Sequence, residues 1–265
     1  MTCAVSGGAD SIALLVLAVA AGCRATAVHV DHGLRPGSGD EAALVAEVAS
    51  RVGAGFRAER AAVAPGPNLE ERAREARYDV LPADVLTGHT ADDQAETVLL
   101  NLLRGAGVNG LAGMAPGRHP IIALRRVETR ALCAAEGFVP FDDPSNGDRA
   151  FRRNRVRHEL IPLLDDLAER DVSALLARQA TLLREDAELL DGLAAALDPT
   201  DARALAGAPP ALGRRAVRLW LGPKPPPAAA VERVLAVARG EARATDVGGG
   251  RRVTRRGGRL HLDRQ

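Results

Sequence analysis

The sequence predicts an α/β protein, a mostly parallel sheet flanked by helices and followed by a smaller, mainly helical C-terminal region. Three observations predict it. Short apolar runs alternate with segments of helical spacing as far as Leu124. A Ser6-Gly7-Gly8 turn joins the first apolar run to the first helix. After Asp142-Asp143-Pro144 the chain turns basic and then helical.

The elements follow in order. Thr2–Val5 is a short strand, Ser11–Ala21 a helix, and Ala25–Val30 alternates like a strand. Gly39–Val52 has helical spacing and Gly55–Val63 reads as a strand. Leu69–Leu81 is a helix with Asn68 as its N-cap. Val85–Gly88 is a short strand, Thr90–Leu103 an amphipathic helix, and Pro120–Leu124 another strand. Beyond them Val172–Leu197 is helical, Pro223–Pro227 is a stiff connector, and Val231–Arg239 resumes a helix. Thr245–Leu262 reads as short strands joined at Gly248-Gly249-Gly250 and Gly257-Gly258.

Composition narrows the function classes. Of 265 residues 46% are apolar but only 2% aromatic, so alanine and aliphatic residues must build the core. There are 34 arginines and a single lysine, Lys224, a skew that reflects GC-rich coding rather than function. Cys3, Cys23 and Cys133 form no CxxC pair, which argues against a disulfide framework or a thiolate metal site. The run Ile12–Ala21 is too short to span a bilayer and lacks signal-peptide flanks, so a soluble cytoplasmic protein without a membrane partner is expected. Residues 201–265 hold 14 Lys and Arg against 5 Asp and Glu, a net of +9, leaving −8 for residues 1–200. A basic tail on an acidic body suits a polyanionic partner, or else a solvated surface.

The strand, the loop Ser6-Gly7-Gly8-Ala9-Asp10-Ser11 and the following helix make an anion-binding arrangement. Glycines let backbone N–H groups close around phosphate oxygens, and the helix N-terminus adds positive potential. Ser6 and Ser11 can donate further bonds, and Asp10 suits a Mg²⁺ ion bridging phosphates. Other motifs are excluded. A Walker A loop needs Gly-Lys, but the sole lysine precedes a proline. A nucleophile elbow needs glycine where Ala4 stands. Gly105–Gly110 matches GxGxxG but follows a helix instead of a strand.

The loop resembles the signature of the ATP pyrophosphatases. Val28–Arg35, Asn68–Tyr78, Gly88–Thr97, Arg104–Met114 and Asp143–His158 extend the likeness over residues 2–160, where the chain resembles the tRNA(Ile)-lysidine synthetases. The resemblance implies a Rossmann-like sheet carrying a pyrophosphatase loop, with ATP as co-substrate and Mg²⁺ beside it. The implied partners are free L-lysine and an isoleucine tRNA with a CAU anticodon. ATP adenylates the C2 oxygen of the wobble cytidine, and the lysine ε-amine then displaces AMP. Residues 1–160 would be the catalytic domain, 161–200 a helical connector, and 201–265 a small basic domain touching tRNA.

Site residues follow from pattern and resemblance together. Ser6, Gly7, Gly8, Ala9, Asp10 and Ser11 hold the triphosphate, joined by Asp31 and His32 at the end of the second strand. His29 lies within that strand and reads as a packed residue. Asp93 and Glu96 share a helix face, and by resemblance they bind lysine. The plainer reading is acidic residues favouring a helix N-terminus. Asp10, Asp93 and His89 are the catalytic candidates, His89 standing equally well as a packing residue. Arg77, Arg104, Arg152, Arg153, Arg155 and Arg157 are candidates for tRNA or phosphate contact, though any of them could serve only as surface.

The chain departs from the family pattern in a short Asp79–Asp84 connection and a start almost on the loop. The larger C-terminal domain of some members is expected to be missing. Rival readings are a cytidine thiolase, which would need paired cysteines, and a glutamine-dependent synthetase, which would need an amidotransferase domain. A third is a non-catalytic arginine-rich RNA-binding module.

Overall fold

In the computed structural model the described residues are 1–31, 33, 38–62, 66, 69–142, 144–222 and 226–264. They form two units, Met1–Leu182 and Leu183–Gln265.

The first unit runs β1 (Thr2–Ala4), α1 (Ala9–Ala20), β2 (Thr26–Asp31), α2 (Ser38–Val52), β3 (Gly55–Arg60), α3 (Leu69–Val80), β4 (Leu86–Thr87) and α4 (Ala91–Leu103). The strands pair in parallel in the order β3-β2-β1-β4, with Ala4 opposite both Val28 and Thr87. Connections run from β1 toward β2 on one side and return to β4 on the other. The strand order therefore reverses between β1 and β4, where open α/β sheets bind ligands at their carboxyl edge. α1 is apolar on nearly every face because it is buried: Ile12, Leu14 and Leu15 meet Cys3 and Ala27 of the sheet and Val45 and Val48 of α2. Alanines at the sheet–helix contacts let the layers approach closely: Ala27 and Ala49 are fully buried, in a core that also holds Phe138.

Of the short Asp79–Asp84 connection, Asp79 and Val80 still belong to α3 and the rest closes as a turn. Val85 N–H donates to the Pro82 carbonyl over 3.1 Å, and Leu81 and Val85 are buried with Val28. Asn68 and the end of the Gly55–Val63 segment lie outside the described residues.

Pro120–Leu124 is not a strand. Ile122 N–H bonds the His119 carbonyl over 3.0 Å and Leu124 N–H that of Ile121 over 2.9 Å, so the segment is a pair of consecutive turns. Its apolar character serves packing instead, for Ile121 belongs to the main core. The Leu124 carbonyl accepts from Ala91 N–H over 2.8 Å, tying the start of α4.

Next come α5 (Val108–Leu111), α6 (Arg126–Ala135) and α7 (Arg152–Arg155). α7 continues through a π-helical turn, Val156–Leu160, into α8 (Ile161–Ala168). Pro162 has no N–H to give the carbonyl four residues back, and the helix widens just before it.

α9 (Val172–Ala195) carries the boundary between the units. The second unit adds α10 (Ala202–Gly207), α11 (Pro210–Leu221), α12 (Ala228–Arg239) and an antiparallel sheet of β5 (Ala244–Gly248), β6 (Arg251–Arg256) and β7 (Arg259–Arg264). Its own core joins Leu205, Val217, Val234, Val253 and Leu260. Along β6 the guanidiniums of half-buried Arg251 and exposed Arg255 donate to the Leu221 and Ala238 carbonyls at 2.7 and 2.8 Å; Arg252 and Arg256 are also exposed. No helix is long and apolar enough to cross a membrane among the described residues.

Candidate active site

The loop is held open from below. Gly7 has φ +79°, a left-handed conformation that suits glycine, and its carbonyl accepts from Phe141 N–H over 2.9 Å. Gly8 begins α1 and receives Ser11 N–H and Ile12 N–H. Ser11 Oγ accepts from Ser6 N–H over 3.1 Å and donates to the Gly8 carbonyl over 2.8 Å, bracing the loop while Ser6 stays exposed. β4 leads to Gly88 beside this loop: a Cβ there would lie 2.4 Å from the Asp10 carbonyl oxygen. The neighbouring strand end can approach only because residue 88 has no side chain.

Asp10, on the first turn of α1, accepts from the Thr129 hydroxyl and lies 3.5 Å from Arg126 Nε. Burial pushes its carboxyl above the ordinary range, against the Thr129 bond, and the Asp93 charge adds to the rise against the pull of Arg126.

Asp93 divides its oxygens. Oδ2 accepts from the Thr90 N–H at 2.9 Å and hydroxyl at 3.0 Å, capping α4. Oδ1 accepts from Arg126 and Arg153, each at 3.1 Å, with Arg157 at 3.6 Å. One side chain thus both braces the helix N-terminus and pairs with two guanidiniums. Burial works to raise its carboxyl, but Arg153, Arg126 and the His89 imidazole outweigh it and hold it below the usual range. Glu96 is fully buried and meets the same arginines: Arg153 Nε at 2.6 Å, Arg157 Nε at 2.6 Å and Arg126 at 3.4 Å. Three carboxylates and three guanidiniums therefore form one neutralised cluster beside the loop.

Asp92 points elsewhere. It takes a bidentate bond from Arg125 at 2.9 and 3.1 Å and the Arg126 N–H at 2.7 Å, fastening α6 to α4. Burial opposes this, but the Arg125 bond prevails and depresses its carboxyl.

His89 hydrogen-bonds the Thr87 hydroxyl over 2.7 Å, and His119 Nδ1 reaches the same hydroxyl over 2.6 Å, with the two rings 4.7 Å apart edge to face. His29 is buried with Nδ1 3.0 Å from the Val5 carbonyl, the packed residue its alternation suggests. Asp31 ends β2 on the same sheet edge and accepts from Gly33 N–H over 2.8 Å; His32 lies outside the described residues. Arg77 and Arg104 are exposed. The basic cluster splits by helical direction: Arg153 and Arg157 turn to the carboxylates, Arg152 and Arg155 to solvent. Arg126, Thr129 and His119 were invisible to the motif reading because they lie on α6 and the turns before it, far in sequence from the loop. The adjacent Arg125-Arg126 pair after the apolar Ile121–Leu124 run was the signal available.

Comparison with known proteins shows the family. A family model described as a PP-loop domain, of an ATP-binding family, matches residues 1–164. The tRNA(Ile)-lysidine synthase of Nocardia farcinica is 47% identical over 235 residues, covering 82% of this chain and 74% of its own. Those of Rhodococcus erythropolis and Leifsonia xyli are 45% and 44% identical, covering 82% and 81% of this chain and 72% and 73% of their own. A U34-tRNA thiolase from Methanococcus maripaludis, solved with its [4Fe-4S] cluster, shares the fold with a TM-score of 0.54 at 18% identity, covering 69% of this chain and 72% of that one. The three cysteines here are free, and no cluster of three or more metal-ligating side chains occurs among the described residues. The chain belongs to the PP-loop ATP-binding family and, within it, to the tRNA(Ile)-lysidine synthases, a family of enzymes.

Proposed function

We propose that this enzyme joins lysine to C2 of the wobble cytidine of an isoleucine tRNA with a CAU anticodon, in two steps. The cytidine C2 oxygen attacks the α-phosphorus of ATP, and the bond to pyrophosphate breaks. The lysine ε-nitrogen then bonds to C2, the C2–O bond breaks, and AMP leaves with the oxygen while the amine gives up its proton. The observation that carries this reading is the carboxylate–arginine cluster of Asp10, Asp93 and Glu96 with Arg126, Arg153 and Arg157, set against the loop.

The loop N–H groups and the start of α1 receive the departing pyrophosphate, stabilising charge where it develops. Asp10 supplies one carboxylate at the loop, and with substrate phosphate oxygens that is a donor set Mg²⁺ takes. When bound, Mg²⁺ would draw negative charge from the leaving group. His89, just past β4 and near enough to Asp93 to act on its charge, is the further catalytic candidate of this site.

Lysine arrives as a cation, with about one molecule in a few thousand uncharged at neutral pH. In the cluster its place on Asp93 and Glu96 is taken by guanidiniums. Arg126 also touches the loop through Asp10, so a bound polyphosphate competes for it and frees carboxylate oxygen for the ammonium. That exchange makes the second substrate bind better once the first is in place. A freed carboxylate then accepts the proton as the amine attacks.

The test is mass analysis of nucleosides after incubation with ATP, Mg²⁺, lysine and unmodified minor isoleucine tRNA. Lysidine at the wobble position is the expected product. A protein that binds the tRNA but releases no pyrophosphate would favour the non-catalytic RNA-binding reading.

A further inference from the structure

Beyond the carboxylate cluster, α4 and the α7–α8 helix enclose a groove of about 470 Å³. Its floor is apolar, made by Leu100, Leu103, Val156, Leu160 and Leu163. Leu103 and Leu163 are 70% and 53% exposed, which leaves apolar surface open to a ligand. The rim is cationic: Arg104 and Arg152 stand exposed with no side-chain partner among the described residues, and Arg155 is bound to Glu159 over 3.2 Å. The π-helical turn contributes Val156, Glu159 and Leu160, so the widened backbone shapes the groove directly. Such turns recur at functional sites.

We infer that this groove seats the base of an unpaired nucleotide of the RNA substrate, adjacent to the one modified, with its flanking phosphates on Arg104 and Arg152. The inference rests on the tRNA reading above. The volume suits a nucleoside-sized ligand and is far too small for a duplex. An apolar floor takes the face of an unstacked base, and guanidiniums at the rim take phosphate oxygens or stack on the ring. Position supports the same occupant. The groove and the carboxylate cluster share both walls: α4 carries Asp93 and Glu96 near its start and Leu100 and Leu103 near its end. Seven residues separate Glu96 from Leu103, about 10 Å along the helix axis. On α7, Arg153 faces the cluster while Arg152 lines the groove. A strand with one nucleotide at the cluster therefore has its neighbour at the groove.

The experiment uses the full chain and the substitutions Leu103→Glu, Arg104→Ala and Arg152→Ala, all at exposed positions. Affinity for minor isoleucine tRNA is measured by fluorescence anisotropy across a salt series. The same is done with tRNA made abasic at each loop position flanking the target cytidine. Leu103→Glu is expected to weaken intact tRNA on the order of tenfold. It should leave unchanged the affinity for one of the abasic tRNAs, which the parent protein already binds weakly. Each arginine variant should lower the slope of log affinity against log salt by about one. Abasic tRNAs bound by the parent as tightly as intact tRNA would overturn the proposal, as would parental affinity and slope in all three variants. If the parent modifies tRNA normally in that case, only the groove assignment fails. A parent protein that binds no tRNA at all would overturn the functional reading and this inference with it.

Discussion

Gly88 stands against Asp10 so closely that the backbone of one occupies the space a side chain on the other would need. The Cβ position of residue 88 is 2.4 Å from the Asp10 carbonyl oxygen and 2.9 Å from the Ser11 Cα. One glycine thus sets how near β4, and with it His89, comes to the phosphate loop.

Gly88→Ala should accordingly displace the loop. Overpacking of this kind costs about 1–3 kcal/mol, and the pyrophosphate-releasing activity should fall by far more than stability does. Gly117 has nothing within 4 Å of its Cβ position and provides the control, since Gly117→Ala should leave both unchanged. Thermal melts and pyrophosphate release of the two variants decide it. Normal activity in Gly88→Ala would show that the loop yields freely.

Asp10 and Asp93 should respond to pH in opposite directions. Burial raises the Asp10 carboxyl, so between the ordinary carboxyl range and its raised value the unfolded chain has already lost a proton that the folded one keeps, and stability falls as pH rises. Asp93 is held low despite its burial, by Arg153, Arg126 and His89, so its stabilising contribution is lost as pH falls below the ordinary carboxyl range. Asp10→Asn should therefore keep or raise the melting temperature near neutrality while abolishing adenylation. Asp93→Asn should flatten the acid limb of the stability curve. Melts from pH 3 to 7 with parental shapes in both variants would refute this.

Glu96 is expected to be structural as well as functional. Removing one partner from a buried ion-pair cluster typically costs 3–5 kcal/mol, and Glu96 is the fully buried member here. Glu96→Gln should lower the denaturation midpoint and raise the lysine KM. Asp93→Asn, whose capping oxygen has an amide counterpart, should raise the lysine KM with a smaller loss of stability. A lysine titration beside denaturant unfolding separates the two, and parental lysine KM in both would place the amino-acid site elsewhere.

On the proposed exchange of arginines between carboxylates and polyphosphate, lysine binding is expected to depend on nucleotide. Calorimetry should find lysine bound weakly by the free protein and at least several-fold more tightly with a non-hydrolysable ATP analogue present. Arg126→Ala should remove most of that difference. Equal lysine affinity with and without the analogue would count against the exchange.

In the C-terminal unit the net charge of residues 201–265 overstates what is available to RNA. Arg251 and Arg255 serve carbonyls of their own unit, and Arg214 and Arg239 pair with Glu232 and Glu241. Arg252→Ala and Arg256→Ala should each flatten the salt dependence of tRNA binding by about one unit of slope. Arg251→Ala should instead lower stability. Unaltered slopes in the first pair would leave that face as solvated surface.

The sequence by itself determined the parallel α/β framework, the phosphate loop and the acidic pair on α4, because each is written in neighbouring residues. Strand–helix alternation, a double glycine before a helix, and carboxylates at i and i+3 need no distant contact to be read. It could not determine that Pro120–Leu124 turns instead of extending, since a short apolar run between turn residues is ambiguous until its burial is known. Nor could it divide Arg152 and Arg155 from Arg153 and Arg157, because residues three or four apart share a helix face and a string of arginines does not name the neighbour each face meets. Tertiary structure alone brought Arg126 and Thr129 to Asp10, more than 100 residues away along the chain. The charge state of the cluster depends on that meeting. Burial raises the cost of every carboxylate, and only folded proximity supplies the guanidiniums that offset it.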